Sequence, residues 1–286
     1  MVREYYTLSN GLHIPKLAFG TWQTTNEQAV PAVHAALEIG YRHIDTAANY
    51  HNEQGVAQGI RDSGCSRSDI FITTKIPAEA KTAEEAKRMI DLSLHNLGTD
   101  YIDLMLIHAP KPWDEYFRGS EKTYYAENID VWNVMEAAYK AGKIKALGLS
   151  NFSEMDIENI LQNCSTPPAV NQIHTYIGHT QDDLLSYCAD KGILIMGFSP
   201  IASGELLRNA DLQAIAAHYA VSVPQLCIRY LLQRNILPIP KSIHEKYIRQ
   251  NADVDFVIDN ADMDILNHFP DTVEALAAKY ERMTRS

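Results

Sequence analysis

The chain has 286 residues, of which 46% are hydrophobic and 21% charged, enough apolar material for a large core and too much for extensive disorder. A formal net charge of −11 gives no electrostatic support for a general affinity for nucleic acid or for anionic membrane surfaces. No Pro/Gly/Ser-rich linker, charge block or low-complexity tract divides the sequence, so a single domain over 1–286 is expected.

Asn10-Gly11 stands between Tyr6-Thr7-Leu8 and Leu12-His13-Ile14 and supplies the positive φ angles of a tight two-residue turn, so a short β-hairpin comes first. Apolar runs then alternate with amphipathic stretches. Strands are predicted at 16–19, 43–47, 70–75, 102–108, 146–150, 170–173, 193–199 and 237–241, with helices at 27–39, 53–62, 82–97, 130–141, 153–161 and 182–191. The strand runs are continuously apolar, as parallel strands covered on both faces should be. Gly40, Gly98, Gly142 and Gly192 mark helix ends, and Thr82 with Glu85 and Ser242 with Glu245 have capping-box spacing at helix starts.

Eight strands with intervening helices point to an α/β fold of the (β/α)8 TIM-barrel type carrying an N-terminal β-hairpin. A doubly wound open sheet is the alternative. The chain has no GxGxxG, and its Gly142-Lys143 pair is followed by Ile144, so it carries no P-loop. Cys65, Cys164, Cys188 and Cys227 lack CxxC or zinc-ligand spacing and read as thiols of a reducing compartment. The N-terminus has no apolar signal-like region and no segment is long enough to span a bilayer, so a cytoplasmic location without membrane attachment is expected.

Strand ends in a β/α barrel face a common mouth. Asp45 with Tyr50, then Lys75, then His108 lie near the ends of three consecutive predicted strands. A free tyrosine, with a pKa of about 10, is a reluctant proton donor at neutral pH. An ammonium about 4 Å away favours the phenolate by up to roughly 4 kcal/mol at an effective dielectric near 20, about three pKa units. Lys75 is therefore expected to acidify Tyr50, with Asp45 keeping Lys75 charged and His108 orienting a carbonyl oxygen beside the phenol. Each residue alone also has a structural reading, Asp45 and Lys75 as an internal salt bridge and His108 as a satisfied interior histidine. No metal is expected, since no HxH or HExxH run accompanies them.

The chain resembles the aldo-keto reductases along nearly its full length. The matching segments, in order, are Phe19-Gly20-Thr21-Trp22, Asp45-Thr46-Ala47 with Tyr50 and Asn52-Glu53, Phe71-Ile72-Thr73-Thr74-Lys75, Leu106-Ile107-His108, Gly148-Leu149-Ser150-Asn151-Phe152, Asn171-Gln172, Gly197-Phe198-Ser199-Pro200, and Ile239-Pro240-Lys241-Ser242. The resemblance implies NADPH-dependent reduction of aldehydes and ketones, or the reverse oxidation, without metal, by a monomer of the bacterial, short-loop kind. It also makes Tyr50 the proton donor, tuned by Lys75 and Asp45, with His108 positioning the carbonyl.

The amides of Asn151 and Gln172, with Ser150, suit a nicotinamide carboxamide, and the face of Phe198 suits its ring; loop capping is the structural alternative for the two amides. By the resemblance Gly20, Thr21, Trp22, Asp45, Ser199, Pro200, Ile201 and Ile243 also contact cofactor, Lys241 and Ser242 grip an adenosine 2′-phosphate, and Asn251 meets the adenine. Tyr247 stands where the family usually has arginine, which keeps NAD(H) open beside the favoured NADP(H). Trp22, Tyr50, Ile76, His108 and Trp113 are the expected substrate wall, with the long segment 109–128 as a binding loop. Ala109, Pro77, residues 201–207 and a short tail after Pro270 suggest an open pocket. Two other functions fit the same barrel: a cofactor-binding redox-sensing regulatory subunit with little turnover, and a Schiff-base aldolase using Lys75 or Lys241.

Overall fold

The computed structural model describes residues 4–273 and residue 278. An antiparallel hairpin comes first, formed by β1 (Tyr5–Thr7) and β2 (His13–Pro15). Its turn differs from the expected one. Leu8 N–H bonds to Leu12 O and Gly11 N–H to Leu8 O, so three residues, 9–11, make the loop, and within it only Gly11 takes a positive φ, of 84°. The side chain of Asn10 is used elsewhere: it accepts from Leu12 N–H and donates to Lys145 O, fastening the hairpin to the barrel.

Eight strands follow in one parallel sheet: β3 (Phe19–Gly20), β4 (His43–Asp45), β5 (Phe71–Ile76), β6 (Leu104–Ile107), β7 (Leu147–Ser150), β8 (Val170–His174), β9 (Leu194–Phe198) and β10 (Leu237–Ile239), each beside the next. The first and last come together through Ala18 N–H to Pro238 O at 3.1 Å and Gly20 N–H to Pro240 O at 2.9 Å, which nearly closes the barrel. Gly20 lets the seam close tightly: a Cβ there would sit 3.0 Å from Ile239 Cγ2, which would have to shift by a few tenths of an ångström.

The α-helices within residues 4–273 are α1 (Asn26–Ile39), α2 (Glu53–Asp62), α3 (Ala83–Leu97), α4 (Trp113–Phe117), α5 (Tyr125–Lys140), α6 (Glu154–Asn163), α7 (Asp182–Asp190), α8 (Ala210–His218), α9 (Val223–Gln233), α10 (Glu245–Ala252) and α11 (Asn260–Asn267). The six predicted helices correspond to α1, α2, α3, α5, α6 and α7. The four glycines expected after helices all have positive φ. Thr82 and Glu85 form their capping box on α3. The box expected at Ser242 does not form, because α10 starts only at Glu245 with His244 as its N-cap, and Ser242 Oγ instead accepts from His244 N–H.

Strand parity separates two cores. Side chains on one face, including Phe71, Leu104, Leu106, Val170, Met196, Leu237 and Ile239, fill the barrel with Leu8 and Ile14 of the hairpin. Those on the other face, including Ile44, Ile72, Ile76, Met105, Ile107, Leu147, Leu149, Ile173 and Ile195, pack against the helices. Both faces of the barrel strands are thus covered, which is why their sequences show no polar alternation. No described helix is long and apolar enough to cross a membrane. Most of the tail after Pro270, expected to leave the pocket open, lies outside the described residues.

Candidate active site

The same parity loads the barrel mouth. Counting from the inward-facing His43 in β4, Phe71 in β5 and Leu104 and Leu106 in β6, the last inward positions are Asp45, Lys75 and His108. In β7 and β9 the same count gives Ser150 and Phe198, and in β8 it gives His174, with Gln172 the inward position before it. Ile76 falls on the opposite parity. Its side chain, 1% exposed, joins the core under the helices and does not line the mouth, which corrects its expected place in the substrate wall.

Lys75 is buried, with Nζ 2.7 Å from Asp45 Oδ1 and 2.7 Å from Thr46 O. The other oxygen of Asp45 accepts from Gln172 Nε2 at 2.7 Å across the barrel. Lys75 Nζ lies 5.1 Å from the centre of the Tyr50 ring, and the His108 ring meets Tyr50 edge-on at 5.6 Å. On its far side His108 meets the Trp113 ring at 5.0 Å. Tyr50 ends a short 3₁₀ turn, Ala48–Tyr50, whose position Asn52 fixes: its buried amide donates to Thr21 O, Thr24 O and Thr24 Oγ1 and accepts from Thr46 Oγ1. That knot joins the loop carrying Trp22 to the turn carrying Tyr50.

Burial depresses the Lys75 pKa, and the Asp45 and Glu53 carboxylates counteract it. The imidazole of His108 is held well below its ordinary value by burial and then by the Lys75 charge, so it is neutral at physiological pH. Burial, followed by the Asp45 carboxylate, holds the Tyr50 phenol well above its ordinary pKa. This direction is opposite to the expected one, and burial is its first cause.

Sequence reasoning missed two supports of this cluster. Gln172 has one amide N–H committed to Asp45, so besides any cofactor contact it orients the carboxylate. Glu53, 2% exposed, accepts from Thr74 Oγ1 and Asn96 Nδ2 and adds negative charge near Lys75. Its signal was present, as the acidic residue three positions after Tyr50 at a helix start.

The remaining expected contacts are spread over β8 and β9, the connections after β3, β7, β9 and β10, and α10. Thr21 N–H and Oγ1 both bond to Asp45 O at 3.0 Å, and Trp22 is 40% exposed at the rim. Asn151, at a positive φ of 61°, donates to His108 O and Ser150 Oγ. Phe198 stacks on His174 at 5.1 Å. Ser199 is half-buried, Pro200 is buried, and Ile201 packs partly against the outer core. Lys241 reaches Gln23 O at 3.4 Å; Ser242 and the exposed Ile243 precede α10, and Asn251 is buried within it. An open cleft of about 960 Å³ has Asn151, Tyr116, Phe117 and His174 in its wall; Asn151 bonds to His108 O, but neither Tyr50 nor His108 lines the cleft.

The family model described as "Aldo/keto reductase family" matches residues 16–270. The chain belongs to the aldo-keto reductases. Glyoxal reductase of Bacillus subtilis (strain 168) is 39% identical over 265 residues, 92% of this chain and 91% of that protein. Glycerol 2-dehydrogenase (NADP(+)) of Saccharomyces cerevisiae is 35% identical over 92% of this chain and 89% of its own. Among solved structures, an aldo-keto reductase from a Medee basin deep-sea metagenome library superposes with a TM-score of 0.88 at 36% identity, covering 95% of this chain and 97% of that one. A Bombyx mori aldo-keto reductase in complex with NADP gives 0.84 at 31% identity, covering 97% of each chain. Aldo-keto reductases use nicotinamide cofactors, and this one is an NAD(P)H-dependent carbonyl reductase.

Proposed function

We propose that this aldo-keto reductase reduces aldehydes and ketones with NADPH, and that Tyr50 delivers the proton. The observation that carries the reading is the buried Asp45–Lys75 pair set under the Tyr50 ring, with a neutral His108 at its edge. The nicotinamide, when bound, supplies the hydride.

Carbonyl reduction leaves an alkoxide, a base comparable with hydroxide, whose conjugate acid water has a pKa of about 15.7. A phenol whose pKa is raised stays protonated at neutral pH and so holds its proton for the developing oxyanion. His108, being neutral, offers a ring N–H to the same oxygen without adding a charge that Lys75 would repel. Asp45 and Gln172 hold Lys75 in register, so the local field is set before substrate arrives.

Several features suit the cofactor. The amides of Asn151 and Gln172, with Ser150, converge on the mouth from β7 and β8, and the Phe198 ring stands beside them. The N-cap residue His244 makes no side-chain bond to the start of α10, which suits an anion at its first N–H groups, and Lys241 stands just before it. Arg249 is bonded to Glu245 and Tyr247 is 50% exposed, so Lys241 is the cation best placed to favour a 2′-phosphate. The NADP named for the yeast relative and the silkworm structure agrees with that choice. The lysine engaged by both Asp45 and Thr46 is poorly disposed to form an imine.

The test is a panel of small aldehydes, dicarbonyls and ketones read at the NADPH absorbance band. Carbonyl-dependent loss of NADPH is expected. Tight NADPH binding without turnover on any carbonyl would replace the reductase reading with a sensing role.

A further inference from the structure

Lys81 is a buried lysine that the proton relay does not use. It is 7% exposed, just ahead of α3, and its Nζ donates to Ala109 O at 2.9 Å and to Asn128 Oδ1 at 2.8 Å. Those acceptors lie at the two ends of segment 109–128. Asn128 Nδ2 closes the triangle by donating to Pro110 O at 2.8 Å. Trp113, within the same segment, packs on His108, and its N–H reaches Glu79 Oε1 at 3.4 Å while Glu79 Oε2 accepts from Asn49 beside Tyr50.

We propose that Lys81 is a positioning residue which clamps both ends of the 109–128 segment, and that this clamp sets how closely Trp113 sits on His108 and how large a carbonyl substrate the mouth admits. The proposal rests on the reductase reading for its effect on substrates, but the clamp itself stands on the geometry. A lysine whose two acceptors lie nineteen residues apart in sequence crosses the base of a loop and couples its ends. The part of the segment between them folds on itself, with Lys111 Nζ donating to Ser120 O and the Tyr124 hydroxyl to Glu115, so it can shift as a unit when its base is released.

The clamp also has a pH signature. Burial lowers the Lys81 pKa from 10.5 to about 7; Glu79 from the preceding turn, Asp156 of α6 and Glu127 of α5 face it and oppose that shift, and the Tyr124 ring lies 5.9 Å away. With the loop open, Lys81 regains the ordinary value. Between pH 7 and 10.5 the open form therefore binds more protons, so the clamp tightens with rising pH, by at most about tenfold per unit. Below pH 7 both forms are protonated and the dependence ends.

The experiment is amide hydrogen exchange of residues 109–124, expressed as protection factors corrected for intrinsic rates, in the wild type and in Lys81→Met. Protection in the wild type is expected to rise from pH 7 upward. In Lys81→Met it is expected to fall at least about tenfold in this segment alone and to lose the pH slope. The variant's KM for a bulky aromatic aldehyde should change several-fold while kcat on a small aldehyde stays within about twofold. Unchanged protection, or a loss spread evenly over the barrel, would overturn the clamp. The wild-type pH series needs no variant, so failure of Lys81→Met to fold leaves the proposal testable. If the wild type reduces no carbonyl, the functional reading fails while the exchange result still decides the clamp.

Discussion

The two ends of the proposed cofactor site are built differently. The relay end is built on Asp45 of β4, Lys75 of β5, His108 just past β6 and Gln172 of β8, all buried and, apart from His108, tied by short bonds, Lys75 to Asp45 and Thr46 and Asp45 to Gln172, with Tyr50 on the turn after β4. The phosphate end consists of Lys241, Ser242 and Ile243 on an exposed connection before α10, with a single 3.4 Å bond from Lys241 to Gln23 O. A strand-mounted buried group has its geometry fixed before a ligand arrives, and changing it affects chemistry and stability together. A group on a solvated loop acts through charge and can be changed at small cost to the fold. Substitutions at the two ends should differ in size and in what they change.

The largest effect is expected at Tyr50. Tyr50→Phe removes the proposed proton donor and leaves the ring contacts with Lys75 and His108, so carbonyl reduction should fall by about 10²–10⁴-fold with the NADPH dissociation constant nearly unchanged. Single-turnover mixing and fluorescence titration measure the two quantities separately. Near-normal turnover would remove Tyr50 from the donor role.

Next comes the ion pair beneath it. Lys75→Met leaves the Asp45 carboxylate buried with Gln172 as its remaining side-chain donor, and breaking a buried pair in this way costs about 3–5 kcal/mol of folding stability. The double variant Asp45→Asn with Lys75→Met removes the orphaned charge and should recover much of that loss. Urea unfolding of both proteins checks this; equal stabilities would mean that the carboxylate tolerates isolation, contrary to its burial.

At the phosphate end the change should be smaller and confined to cofactor choice. Lys241→Met removes one partly exposed charge, which is worth about 1 kcal/mol, so the ratio of kcat/KM for NADPH over NADH should fall roughly five- to tenfold with no change in unfolding midpoint. An unchanged ratio would reject the phosphate grip.

The difference between the two ends also decided what could be read from sequence. Asp45, Lys75 and His108 were legible because each closes an apolar run, and once the runs are parallel strands of a barrel, parity and register bring their last inward residues together. The same parity count would have excluded Ile76, one residue past Lys75. The sign of the Tyr50 shift was not legible, since it depends on how much water the fold removes from the phenol, a property of packing that local sequence does not state. The Asp45–Gln172 bond was hidden too, because it joins positions 127 apart in sequence. Helices α4, α8, α9 and α11 have no counterpart among the predicted elements; α8 and α9 join two strands, β9 and β10, whose connection carries two helices where the barrel repeat leads one to expect one.

Capping makes the same contrast in its smallest form. Thr82-x-x-Glu85 and Ser242-x-x-Glu245 carry the same local signal, yet only the first becomes a box. At Thr82 the extended backbone, φ −122° and ψ 154°, puts Oγ1 within reach of Glu85 N–H, and Glu85 returns a bond to Thr82 N–H. At Ser242 the chain turns first, its hydroxyl accepts from His244 N–H two residues on, and the helix begins beyond it without a side-chain cap. Thr82→Ala should therefore destabilise the protein by about 1 kcal/mol, whereas Ser242→Ala should leave the unfolding midpoint almost unmoved, since it loses only a local turn bond near the surface. If Ser242 helps receive a phosphate, its effect will show in the NADPH dissociation constant and not in stability. Equal destabilisation by both substitutions would mean that α10 is capped by Ser242 in solution and that its N–H groups are not open to an anion.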